Sequence, residues 1–242
     1  MNPNGHLPTP SMRSLRDGYH ALVLGASGAI GQAFVTSLQA DPRCASVTAL
    51  SRSSLPGFDL RDESSLQRCA QALAGREPFQ LVIDATGALT LDGHGPEKRL
   101  NELGAGPLRD AMQVNAIGPA LLLQQLLPLL ATDERVIWAK LSARVGSIED
   151  NRKGGWYGYR ASKAALNMLL QTAAIEIARR RPLAVVAALQ PGTVRSALSQ
   201  PFVGELAMDP QESAARLLRV LDGLEPTGRA RFVDHAGQSI PW

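Results

Sequence analysis

Tyr159 and Lys163 stand four residues apart in the run Trp156-Tyr157-Gly158-Tyr159-Arg160-Ala161-Ser162-Lys163-Ala164-Ala165-Leu166-Asn167. Ala, Leu and Met dominate its continuation through Met168, Leu169 and Leu170, so the stretch reads as a helix entering a packed core. That spacing is about one helical turn, which stacks the phenol and the ammonium on one face. Such a pair makes an acid: the positive charge favours the phenolate and pulls a pKa of about 10 towards neutrality. A half-buried tyrosine beside a snorkelling lysine would show the same spacing. With so few tyrosines and lysines in the chain, however, only about 0.05 such spacings are expected by chance. The other basic positions are mostly arginine, which could neither titrate nor act as a compact charge in this way.

The acid needs a scaffold, and the chain supplies one. Residues 1–18 carry Pro3, Pro8 and Pro10 without any period and predict a flexible arm. From residue 19 to 242 the pattern is that of one domain. Apolar runs at His20–Leu24, Ser46–Leu50, Phe79–Asp84, Arg135–Leu141, Leu183–Leu189 and Ala230–Asp234 read as strands, with a weaker one near Gly57–Asp59. Helical spacing fills the intervals, notably Glu63–Leu73, a long stretch through Met112, Leu121 and Leu127, the Tyr159 segment, and Pro210–Leu221. Strands alternating with helices predict an α/β fold, a Rossmann-type doubly wound sheet of about seven strands, mostly parallel and covered on both faces.

Bulk properties fit an ordinary globular chain: 45% hydrophobic, 19% charged, net charge +3. So mild a charge predicts no nucleic-acid partner, and Arg179-Arg180-Arg181 reads as the cationic end of a helix. Cys44 and Cys69 have no metal spacing, and a reducing cytoplasm is the expected location. The apolar run Ile117–Ala131 is too short for a bilayer and contains Gln124, Gln125 and Pro128. No signal pattern opens the chain, so neither export nor anchoring is expected.

In such folds ligands bind at the carboxyl ends of the strands. The first strand runs into Gly25-Ala26-Ser27-Gly28-Ala29-Ile30-Gly31, whose glycines would let backbone approach a pyrophosphate at a helix N-terminus, or would simply make a turn. The second ends in Ser51-Arg52-Ser53, with no acid to accept ribose hydroxyls. Hydroxyls and a guanidinium there favour a 2′-phosphate, and so NADP over NAD. Asp59, followed by Leu60, would accept an adenine amino group. Asp84-Ala85-Thr86-Gly87 would let a cofactor lie close. Asn115, with Gly118 and Pro119, interrupts a helix, where it holds a water or marks a packing kink. Ser142 would donate to a substrate oxygen, and Pro191-Gly192-Thr193-Val194 suits a turn beneath a nicotinamide carboxamide.

Taken in order, these residues resemble the short-chain dehydrogenase/reductase family from Tyr19 to Trp242. Within it the chain is most similar to the C-factor-like small carbonyl reductases, on Ser142–Ser147, Gly154–Lys163, Pro191–Val194 and the closing Ile240-Pro241-Trp242. The resemblance implies an NADP(H)-dependent enzyme that reduces a small carbonyl compound or oxidises the matching alcohol by hydride transfer. Tyr159 would be the general acid/base, Lys163 its partner and a holder of the nicotinamide ribose. Ser142 would polarise the carbonyl, and Asn115 would keep a water linking Lys163 to solvent. A homodimer or homotetramer through helices at 108–130 and 159–180 is also implied.

The chain departs from that family at three places. Leu24 and Ala29 stand where the glycine turn usually has Thr and Gly. Asp84-Ala85-Thr86-Gly87 replaces Asn-Asn-Ala-Gly. Counted back from Gly146, the family's active serine falls at Ala143, leaving Ser142 or Ser147 to serve. A second reading follows: a weakly catalytic, NADP(H)-binding sensor or signalling protein. Specificity is expected in Leu89–Gly106, Ser147–Trp156 and Ser196–Met208, with His94 a surface histidine.

Overall fold

The computed structural model describes residues 11–55, 57–196 and 207–242. Residues 1–10 of the expected arm, Pro56, and residues 197–206 of the third expected specificity segment lie outside the described residues. The strands are β1 (Tyr19–Leu24), β2 (Cys44–Leu50), β3 (Leu81–Asp84), β4 (Val136–Leu141), β5 (Ala184–Gln190) and β6 (Arg231–Asp234). The helices are α1 (Ala29–Gln39), α2 (Glu63–Leu73), α3 (Ala105–Met112), α4 (Gly118–Leu126), α5 (Tyr157–Ala178) and α6 (Pro210–Gly223).

The six strands form one sheet, ordered β2-β1-β3-β4-β5-β6, and every pairing is parallel. A parallel sheet needs cover on both faces, and the period-two alternation of side chains provides for it. One face presents Leu22, Leu24, Val82, Trp138 and Val186 to α2, α4 and α5. The other presents Ala21, Val23, Ile83, Ile137 and Val185 to α1 and α6. The chain winds outward from β1 to β2, then returns to the other side of β1 with β3. A crevice opens at such a reversal, outside the strands' carboxyl ends.

Two expectations change. The weak strand near Gly57–Asp59 does not form; its backbone is satisfied by a side chain of α2 instead of a neighbouring strand. Ser65 Oγ accepts from the Asp59 N–H at 2.9 Å and donates to the Asp59 carbonyl at 2.6 Å. Within the expected arm, residues 11–18 are packed. Met12 and Leu15 are buried in the α1/α6 cluster. Asp41 accepts from the Met12 N–H at 2.9 Å and Asp222 from the Ser14 N–H at 2.7 Å. Two apolar side chains three residues apart suffice to dock a segment whose composition is otherwise polar.

The long helix through residues 105–126 contains a π-helical turn, Gln113–Ile117, between α3 and α4. Sequence explains the break: Pro119 has no N–H to offer the carbonyl of Asn115 four residues earlier. The Gly118 N–H bonds back five residues, to Gln113 O. A side chain at Gly118 would meet Leu60 O at 2.5 Å, so glycine lets this rod press against the Leu60 segment. Among the described residues no helix is long and apolar enough to cross a membrane.

Candidate active site

The glycine turn forms the first wall of the crevice. Gly25 has φ +75°, and a Cβ there would lie 3.0 Å from Ala85 C and Thr86 N. A Cβ on Gly31 would lie 2.2 Å from Gly25 O, so the first turn of α1 sits directly over the loop. Gly28 is the N-cap residue of α1 and offers no side chain to it, and the first turn has no acidic residue. Ser27, Gly28 and Ala29 are exposed and Ile30 half-buried, leaving that N-terminus open to an anion.

After β2, Ser51 is buried and Arg52 exposed. Ser51 Oγ lies 2.8 Å from Ser53 Oγ, and its N–H donates to Ser54 Oγ at 2.8 Å. Arg52 forms no ion pair among the described residues, which leaves a guanidinium beside a cluster of hydroxyls. Asp59 is exposed and accepts from the Arg61 N–H at 2.9 Å, while Leu60 is buried. On the far side, Gly192 has φ +84° and packs so close to His235 that a Cβ would meet its ring at 2.7 Å. Ser213 Oγ fixes this turn by donating to Pro191 O at 2.7 Å. Thr193 is exposed, and Val194 is buried and bridges to Met208.

Helix α5 carries Tyr159 and Lys163 across the ends of β3 and β4. Trp156, in the left-handed conformation (φ 53°), precedes the helix, and its ring meets Tyr159 edge-on at 6.2 Å. Lys163 Nζ lies 5.6 Å from the centre of the Tyr159 ring and donates to Leu141 O at 3.1 Å. Its nearest approach across the crevice is Gly87 (φ +139°), where a Cβ would stand 3.4 Å from that nitrogen and 3.2 Å from Asn115 Oδ1. Ala85 and Thr86 line the crevice between the two glycine segments.

The electrostatics differ from the simple expectation. Burial pushes the Tyr159 phenol up to about 12. Burial also pushes Lys163 down to about 7, aided by the charge of Lys140 and opposed by Asp84. A lysine that is half neutral near pH 7 cannot pull the phenol down as a permanent charge would.

Asn115 is fully buried, and its amide is spent on one residue: it accepts from the Ala88 N–H and donates to Ala88 O, both at 2.9 Å. Its side chain clamps the end of the β3 loop. Ser142 is buried too, and its hydroxyl donates to Asn167 Oδ1 at 2.7 Å, so it is not presented to a substrate oxygen as expected. Ser147 is no freer, accepting from the Asp150 N–H at 3.0 Å and donating to Trp242 O at 3.4 Å. Tyr159 lines a cleft with Ala88, Leu89, Leu91, His94, Glu97 and Gly158, among others, which places part of Leu89–Gly106, His94 included, at the site.

The family model described as short chain dehydrogenase matches residues 19–205. The chain belongs to this family. A 1-hydroxy-2-glutathionyl-2-methyl-3-butene dehydrogenase of Rhodococcus sp. (strain AD45) is 30% identical over 189 residues, covering 77% of this chain and 79% of that protein. The C-signal protein of Myxococcus xanthus is 35% identical over 130 residues, covering 53% and 75%. An NADPH-bound carbonyl reductase from chicken fatty liver superposes with a TM-score of 0.81 at 24% identity, covering 96% of each chain, and so shares the fold.

Three features of this short chain dehydrogenase escaped the sequence reading. Glu97 is buried, its carboxylate accepting from the Gly158 N–H at 2.9 Å and so capping α5 one residue before Tyr159. Nothing in its polar loop marked it out. Asn167 sat in plain view, one turn beyond Lys163. Lys140 and Asp84 form a buried ion pair at 3.0 Å. A lysine inside the apolar run Val136–Leu141, in a chain so poor in lysine, was a usable signal.

Proposed function

We propose that this oxidoreductase reduces a small carbonyl compound, or oxidises the matching alcohol, with NADP(H), and that Tyr159 is its general acid/base. The observation that carries the reading is Tyr159 lining a cleft with Lys163 Nζ behind it, 5.6 Å from its ring centre. A bound dinucleotide supplies the hydride. The turn Gly25–Gly31, packed too closely for side chains at Gly25 and Gly31, fits its pyrophosphate, with Ser27, Gly28, Ala29 and Ile30 at the helix N-terminus. Ser51 and Arg52 fit the 2′-phosphate, Asp59 and Leu60 the adenine, and Pro191–Val194 the carboxamide. Ala85, Thr86 and Gly87 leave room alongside.

In reduction, the carbonyl carbon gains the hydride and Tyr159 gives its proton to the oxygen. The phenolate left behind is stabilised by Lys163 in the molecules where it is protonated, about half of them near pH 7. Lys163 also holds ribose hydroxyls. Asn115 serves by fixing the loop that carries Gly87 and Ala88. General acid catalysis of this kind is worth about 10²–10⁴ in rate. NADPH oxidation across a panel of aldehydes and ketones tests the reading, and turnover with some member is expected.

One observation favours a second reading, an NADP(H)-binding sensor or signalling protein of weak activity. Both serines are buried and engaged within the protein, Ser142 Oγ 2.7 Å from Asn167 Oδ1 and Ser147 Oγ accepting from the Asp150 N–H at 3.0 Å. Saturable NADPH binding with no turnover anywhere on the panel would select it. The pairing of phenol with lysine favours the enzyme, since binding alone requires no phenol.

We also propose a reducing cytoplasm as the location, which suits two free cysteines. A homodimer or homotetramer through helices 108–130 and 159–180 is supported by Ile117, Met168, Leu169 and Ile175, apolar side chains left exposed along them.

A further inference from the structure

Lys140 and Asp84 sit directly opposite each other in the β3/β4 register, 1% and 0% exposed, in a sheet interior that is otherwise apolar. Lys140 Nζ lies 3.0 Å from Asp84 Oδ1 and donates to Thr86 O at 2.6 Å, with Thr86 Oγ1 at 3.1 Å. The Thr86 N–H and hydroxyl both donate to the same carboxylate oxygen, at 2.9 and 2.5 Å. Asp84 Oδ2 is buried without a partner. Leu141, next after Lys140, accepts from Lys163 Nζ at its carbonyl, and Gly87 follows Thr86.

Stability alone does not explain this pair. Burying two ions costs several kcal/mol each in desolvation, and apolar replacements of similar volume are often neutral or stabilising. Its place, with Lys140 one residue before Leu141 and with Thr86, which both side chains hold, one residue before Gly87, gives it another use. We propose that Lys140 and Asp84 are positioning residues that hold the Gly87 turn against Lys163 and set the charge Lys163 carries. The proposal rests on the reading of Lys163 as the partner of Tyr159.

The groups facing Lys163 can be named element by element. Tyr159 is on its own helix, Lys140 on β4 and Asp84 at the end of β3. Glu97, from the following loop, is engaged by the Gly158 N–H, and Arg144, after β4, pairs with Asp234 at 3.0 Å and Asp150 at 3.6 Å. Lys140 and Asp84 thus act on Lys163 with opposite signs. After burial itself, the Lys140 ammonium is the stronger influence and favours neutral Lys163; the Asp84 carboxylate favours the charged form. Burial pulls the Lys140 pKa down and the Asp84 carboxylate opposes that, so Asp84 also keeps Lys140 charged, and removing the Lys140 charge must favour charged Lys163.

The chain has only Lys98, Lys140, Lys153 and Lys163, so ¹³Cε-lysine labelling gives a spectrum simple enough to titrate each residue by NMR. In the full-length protein without ligands, Lys140→Met raises the Lys163 midpoint by on the order of one pH unit. Should that variant fail to fold, Lys140→Met/Asp84→Asn, which leaves no buried charge unpaired, still raises the midpoint, because the stronger influence is lost with the weaker. Midpoints that stay within error of wild type, or that fall, overturn the proposal. The titration needs no turnover. An inactive protein whose midpoint rises as described would reject the reductase reading while leaving the charge coupling standing.

Discussion

Ser142 Oγ and Asn167 Oδ1 lie 2.7 Å apart, joined beneath Lys163 by the one hydrogen the serine can give. Asn167 follows Lys163 by four residues on α5, so the bond ties the end of β4 to the turn of helix just past the lysine. Both residues are buried. The hydroxyl expected to polarise a substrate is therefore part of the packing between strand and helix. Tyr159 lines the cleft together with His94.

Replacing Ser142 by Ala consequently acts on stability more than on chemistry. The loss of the bond, with Asn167 left short of a second partner beside its unpartnered Nδ2, costs about 1–3 kcal/mol in urea unfolding. Turnover of the folded variant stays within about threefold, well short of the hundredfold or more that loss of a transition-state donor costs. A loss on that larger scale with stability unchanged would return Ser142 to the reaction.

Arg52→Ala separates the two nicotinamide cofactors. A charge-assisted hydrogen bond is worth about 1.5–3 kcal/mol, so NADPH affinity falls roughly 10- to 100-fold and NADH affinity stays put. Fluorescence titration of both cofactors reads the difference. An unaltered NADPH preference would remove Arg52 from the 2′-phosphate site.

Lys163 imprints a pH dependence on stability. Its folded pKa of about 7 lies below the ordinary 10.5, so between those values the unfolded chain holds a proton that the folded chain has shed. Stability therefore rises with pH from about 7, by up to roughly 1.4 kcal/mol per pH unit from this group. Above 9 the Cys69 thiol, raised by burial from 9.0 to about 11, works the other way. Urea midpoints from pH 6 to 9 should climb in wild type relative to Lys163→Met. Parallel curves would mean that Lys163 is not held neutral by the fold.

The exposed apolar side chains on α5 give the proposed oligomer a direct probe. Met168 and Leu169 are 66% and 40% exposed, and a charge at either site leaves the core untouched. Light scattering should report a dimer or tetramer for wild type and a smaller species for Leu169→Asp. A monomeric wild type would rule the interface out.

Much of the frame is written in local patterns. The apolar runs marked all six strands because a parallel sheet buries both faces, and Glu63–Leu73 emerged with the bounds that its spacing gives. The glycines at 25 and 31 were legible because close approach leaves no choice of residue. What spacing cannot show is where a side chain spends its hydrogen bonds. Asn115 stands in the expected helix break and Ser142 at the expected strand end, yet both bond to neighbours far away in sequence, Ala88 and Asn167. Burial reverses the direction of the Tyr159 shift for a related reason: desolvation depends on the packed site, whereas the four-residue spacing speaks only of proximity.

The most direct measurement compares NADPH oxidation by wild type and Tyr159→Phe, using any carbonyl substrate the panel provides, with NADPH affinity determined for both proteins. The account predicts a loss of about 10²–10⁴ in turnover with cofactor affinity within a few-fold of wild type. Equal turnover in the two proteins would contradict it.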